Sequence, residues 1–103
     1  MYVRGRVYLA ALETDERKPW IVVSNNGRNR GLGHALVVRV TTSSKYSQLD
    51  TVGRLPDGEC VHGWVLGDSL TWIYGDDAAE EIGGLRRPAM RIVEAALRAT
   101  LGM

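Results

Sequence analysis

A single proline between a charged segment and an apolar one constrains this chain more than any other residue. Pro19 disfavours helical backbone at the position before it, which leaves Lys18 extended. Trp20, Ile21, Val22 and Val23 follow, aromatic and β-branched, and Ser24-Asn25-Asn26-Gly27 closes the run with turn formers. A segment so short and so bounded can only be one strand of a larger sheet. Side chains alternate along it, so Lys18, Trp20, Val22 and Ser24 share one face, and Ile21 and Val23 share the other.

The same punctuation recurs along the chain. Residues 4–12 alternate Gly5, Val7 and Leu9 with Arg4, Arg6 and Tyr8, the pattern of a half-buried strand, and residues 13–17 form a charged loop. Residues 25–34, with Asn25-Asn26-Gly27 and Gly31-Leu32-Gly33, read as a turn that exposes Arg28 and Arg30. In a third strand, residues 35–42, Leu36, Val38 and Val40 oppose Val37, Arg39 and Thr41. Further strands are expected at 50–55, 60–68 and 69–74, a tight turn at Pro56-Asp57-Gly58, and a short acidic helical turn at 76–81. Arg87-Pro88 then opens an amphipathic helix with Met90, Val93, Leu97 and Leu101 at helical spacing, and Gly102 stops it. Five or six short strands and one helix predict a mainly β (α+β) chain: one domain over residues 1–103, built as a small, bent antiparallel barrel with a C-terminal helix.

Charge narrows the function classes. Residues 1–54 hold nine Lys or Arg against four acids, and residues 55–103 hold four against eight, so a net charge of +1 conceals a basic first half suited to phosphate. No apolar run approaches a membrane span and the amino end lacks an export layout, which makes the cytoplasm the expected location and no membrane the expected partner. Cys60 is the only cysteine, so neither a disulfide within the chain nor a cysteine-based metal knuckle is expected. Arg39, in the middle of an apolar strand, is costly to bury unpaired and should line a cleft or meet an acid such as Asp68. Trp20 reads first as a core aromatic and second as a ring on which a base could stack. The loop after strand three, with Ser43, Lys45 and Tyr46, has a composition suited to single-stranded RNA and equally to any loop.

In order, a basic residue and proline opening strand two (Lys18-Pro19), a Ser24-Asn25 ending it, a threonine closing strand three (Val38-Arg39-Val40-Thr41-Thr42-Ser43) and Asp68 in Gly67-Asp68-Ser69 resemble the MazF/PemK ribonuclease toxins of bacterial toxin-antitoxin pairs. The resemblance covers nearly the whole chain. It implies an SH3-like barrel of the PemK/CcdB-like toxin type, a homodimer that holds single-stranded RNA at the subunit boundary, and a cognate antitoxin whose acidic tail occludes that groove. It also implies cleavage without metal or cofactor, by attack of a ribose 2′-hydroxyl on the adjacent phosphate. Carried onto this sequence, it makes Lys18 and Thr41 the catalytic pair, with Glu13, Asp68 and His62 as supporting acid or base, and Arg17, Trp20, Arg39, Ser43 and Lys45 as RNA contacts. Lys18 stands where most of the family has arginine, and Leu66 where some relatives carry an arginine used in acid-base chemistry.

Three other readings are open on sequence: a CcdB-like gyrase-inhibiting toxin, whose terminal Trp-Gly-Ile is not matched by Leu101-Gly102-Met103; a noncatalytic SH3-like adaptor; and an inactive relative that only binds RNA or an antitoxin. The nuclease reading requires Lys18 and Thr41 to converge on one pocket.

Overall fold

The computed structural model describes all residues, Met1–Met103. Six strands and two helices follow in the order β1 (Arg6–Ala10), β2 (Lys18–Val22), α1 (Asn26–Leu32), β3 (His34–Thr41), β4 (Val52–Arg54), β5 (Trp64–Tyr74), β6 (Glu80–Gly84) and α2 (Arg87–Leu101). The strands form one antiparallel sheet in the order β4-β5-β3-β2-β1-β6. The predicted class holds, with one refinement: β4 and β6 do not pair, so the curved sheet is open rather than a closed barrel. No helix is long and apolar enough to cross a membrane.

Apolar residues cover both faces of the sheet. Val7, Ile21, Val38, Val40 and Val65 pack on one side beneath Ala89, Met90 and Val93 of α2. Ala10, Trp20, Val22, Ala35, Val37 and Ile73 pack on the other. Alternation along β2 and β3 therefore serves two cores, and hardly a residue of these central strands is spare for solvent. In α2 the buried stripe is Ala89, Met90, Val93 and Ala96, while Leu101, expected in the stripe, is 58% exposed at the end of the helix.

The sheet bends at a break in register. Val37 pairs with Thr71 but Arg39 pairs with Leu66, so residues 67–70 of β5 lie opposite Val38 alone. Ser69 fills the gap: its Oγ accepts the Arg39 backbone N–H at 2.8 Å and donates to the Leu66 carbonyl at 2.6 Å. A side chain thus replaces the ladder bonds that the bulge removes. The break also places Gly67 under α2, where a Cβ would meet the Ala96 carbonyl oxygen at 2.7 Å.

Three local expectations are corrected. Residues 25–34 are not a turn but contain helix α1, capped by Asn25 Oδ1, which accepts the Arg28 N–H at 2.7 Å, and ended by Gly33 in the left-handed region. Its buried residue is polar: Asn29 donates to the Ser24 carbonyl at 3.1 Å and accepts from Ser24 Oγ, which in turn accepts the Leu36 N–H at 2.9 Å. An apolar-period search cannot find such a helix. Residues 76–81 are not a helical turn either, because 80–84 pair with β1 as strand β6, held by Arg6–Glu81 and Arg17–Glu80 ion pairs. Finally, the expected strands at 60–68 and 69–74 are one strand starting at Trp64, with residues 60–63 a bend before it.

Replacing Gly67 by alanine should lower unfolding free energy by about 1–3 kcal/mol, since α2 must shift to admit the methyl group. Urea denaturation followed by circular dichroism measures this, and an unchanged midpoint would contradict the close approach.

Candidate functional site

The antiparallel ladder between β2 and β3 builds the site. Trp20 lies opposite Arg39, which carries Lys18, two residues earlier, to the same end of the sheet as Thr41, two residues later. Lys18 and Thr41 line one cavity of about 310 Å³, together with Pro19, Arg39, Val40, Thr42, Val61 and His62. His62 arrives because Gly63, at φ +124°, lies so close against the Thr41 carbonyl that no Cβ could fit. The far wall is then fixed by the Leu55 N–H, which donates to the Gly63 carbonyl at 2.9 Å.

Two cations, two threonines and one histidine line this space. Thr41 Oγ1 accepts the Ser43 N–H at 3.1 Å, so its own proton is free to donate into the pocket. Arg39 Nε is buried without a hydrogen-bond partner in the protein. Asp68, its expected acid, is not there: it lines a different hollow with Tyr46, Leu49, Val52 and Leu66. A guanidinium nitrogen that is desolvated and unanswered costs stability unless an anion completes it. Lys18 Nζ instead meets Glu16, 2.8 Å away. That hydrogen bond and the accompanying attraction hold the Glu16 carboxyl below the usual carboxylate range, with a smaller contribution from Arg39. Sequence reasoning passed over Glu16, and its place two residues before Lys18 in a charged loop was the available signal.

The other expected site residues scatter. Trp20 is 2% exposed and its indole N–H donates to the Ala10 carbonyl at 3.1 Å, so the ring belongs to the core and cannot stack on a base. Arg17 turns to Glu80 at 3.0 Å, toward the β6 edge. Glu13 is exposed with φ +67° and does not line the cavity. Ser43 serves Thr41 through its N–H, while its Oγ accepts the Lys45 N–H at 3.3 Å. The Lys45 ammonium rests 5.2 Å from the Tyr46 ring centre, outside the cavity.

A family model described as "PemK-like, MazF-like toxin of type II toxin-antitoxin system" matches residues 3–101. The chain belongs to this family. Among the curated proteins similar to this PemK/MazF-like chain are Endoribonuclease MazF1 of Mycobacterium bovis and Endoribonuclease MazF4 of Mycobacterium tuberculosis. Each is 30% identical over 101 residues, covering 98% of this chain and 93% of the relative. A solved mycobacterial endoribonuclease in complex with its cognate antitoxin superposes with a TM-score of 0.90 at 29% identity, covering 100% of this chain and 97% of that one.

Because folding lowers the Glu16 pKa, its pairing with Lys18 favours the folded state above the usual carboxylate pKa and is lost as pH falls through the folded value. A carboxyl-carbon NMR titration should place Glu16 below an ordinary glutamate, and Lys18→Ala should return it to the normal range. A Glu16 that titrates normally in the unaltered protein would break the assignment.

Proposed function

We propose that this chain is the endoribonuclease toxin of a type II pair, cutting single-stranded RNA without a metal from the pocket shared by Lys18, Arg39 and Thr41. The observation that carries the reading is the convergence of two cations and a free hydroxyl donor on one concavity. A phosphate is the group that uses all three. Arg39 lends the positive charge of a guanidinium that lines the cavity, Lys18 a point charge on a flexible stem and Thr41 one hydrogen bond.

Strand cleavage then needs only the RNA's own nucleophile. The 2′-hydroxyl oxygen bonds to phosphorus and gives up its proton, and the bond to the 5′-oxygen breaks as that oxygen gains one. The products are a 2′,3′-cyclic phosphate and a 5′-hydroxyl. Negative charge grows on the non-bridging oxygens in between, and preorganised donors that meet it supply rate. His62, on the pocket wall, brings an imidazole, a side chain able to accept or give a proton, to the place where two proton transfers are needed. Glu16 holds Lys18 beside the pocket, and a phosphate entering it competes for the same ammonium.

The partners follow from the same reading. An antitoxin with an acidic segment suits the basic first half of the chain, and a similar endoribonuclease has been solved with its cognate antitoxin. A second copy of the chain suits the apolar hollow of Tyr46, Leu49, Val52 and Leu66, which nothing in the monomer covers. The working location is the cytoplasm, where the RNA is.

Incubating the protein with a long unstructured RNA and mapping product ends tests the chemistry. Lys18→Ala and Thr41→Ala should each fold normally and cleave at least tenfold more slowly, toward the hundredfold, or about 3 kcal/mol, that one missing transition-state donor is worth. Full-rate cleavage by both variants would defeat the site, and no cleavage by the unaltered protein would favour a noncatalytic binder.

A further inference from the structure

The largest cavity of the molecule, about 390 Å³, is not the Lys18–Thr41 pocket but a hollow at the start of α2, lined by Arg4, Gly5, Leu85, Arg87, Met90, Arg91 and Glu94. Three guanidiniums face one carboxylate there. Glu94 is committed to Arg4 at 2.8 Å, and neither Arg87 nor Arg91 makes an ion pair or a side-chain hydrogen bond.

Arg87 and Arg91 are both exposed and take no part in the core. Arg87 and Arg91 are four residues apart on one helix, a spacing that brings like charges side by side. Both lie near the end of α2 where the helix dipole is already positive, and its first turn contains no acid. An anion between them would relieve both repulsions. Leu85, only partly buried, adds apolar surface on which a sugar can rest.

The hollow is linked to the nuclease pocket through one loop. Val61 and His62 of that loop line the pocket, while its Glu59 accepts from the Arg86 side chain at 2.9 Å and from the Arg86 backbone N–H at 3.0 Å. Arg86 is the neighbour of Arg87. Three residues of chain, at most about 11 Å, separate Glu59 from His62, so an RNA strand leaving the pocket needs only a few nucleotides to reach Arg87.

We propose that the Arg4–Arg87–Arg91 hollow is a second phosphate site, which grips the RNA backbone a few nucleotides away from the bond cut in the Lys18–Thr41 pocket. It rests on the nuclease reading and adds to it: affinity for RNA depends on nucleotides flanking the cleaved word. The fork of an arginine takes two oxygens of one phosphodiester, and two such forks one helical turn apart fit a backbone better than a compact anion.

Once product ends define the cleaved word, two oligonucleotides test the site: the bare word and the word with flanks, each with a 2′-deoxy nucleotide at the scissile position to block cleavage. The unaltered protein should bind the flanked one more tightly. Arg87→Ala/Arg91→Ala should cut that advantage about tenfold, and the slope of log affinity against log salt should fall by about 0.7 for each phosphate that is no longer neutralised. Arg98→Ala, which removes a charge from the other end of α2, should preserve the advantage; if the advantage disappears there too, the effect reduces to bulk charge and the site is overturned. The proposal also fails if the double variant keeps the full advantage, or weakens both oligonucleotides equally. Poly-glutamate binding that needs Arg87 and Arg91, with RNA affinity unchanged, would assign the hollow to an acidic protein segment instead. An unaltered protein that cuts no RNA sinks the nuclease reading and this site with it, whereas cleavage without a flank effect sinks this site alone.

Discussion

The pairing of β2 with β3 in one register is the interaction on which the site depends. With Trp20 opposite Arg39, the ammonium that leads one strand and the hydroxyl that ends the next fall on the same face at the same end of the sheet. A shift by one residue would send Trp20, Val22 and Val37 to the opposite face and carry the pocket residues with them. Register is secured from both sides, since Ile21 and Val38 are buried in one core while Trp20, Val22 and Val37 are buried in the other. The geometry of the pocket therefore follows from core packing, without a dedicated scaffold.

The pocket holds its charge at a cost. Arg39 sits where apolar strand residues surround it, with a buried nitrogen that no acid answers. Leaving a buried donor unsatisfied costs about 1–3 kcal/mol, and more when it is charged. Lys18 brings a point charge from the start of β2, and Arg39, two residues before Thr41 on the adjoining strand, brings a guanidinium to the same concavity. Glu16 keeps the flexible lysine beside the pocket through a direct ion pair, and its attraction to Arg39 is weaker.

Irregularities of the sheet place the remaining walls. The Ser69-filled bulge turns β5, so that its first half continues beside β4 under α2 and its second half runs along the start of β3. Gly63 lets the loop bearing His62 lie on the end of β3, and Gly67 lets α2 settle on β5. The cavity stands where these two adjustments leave β2, β3 and the 61–62 segment converging without filling the space between them.

Local chemistry was enough to reveal strands β1 to β4, the helix α2 with Pro88 at its start and Gly102 at its end, and the shared face of Arg39 and Thr41, because period-two alternation and caps act over a few residues. It was not enough for α1, whose burial depends on a polar Asn29, or for β6, whose acids are drawn to Arg6 and Arg17 far away in the chain. Nor did it place Asp68 in its separate hollow, rule out the second, base-stacking reading of Trp20, or bring Glu16 to Lys18. Each of those outcomes is a contact between segments, and depends on a register and a bulge that no short window contains. The sequence by itself determined which residues could bear charge and which had to be extended; the tertiary structure alone decided which charges meet, because meeting is a property of strand pairing across the sheet.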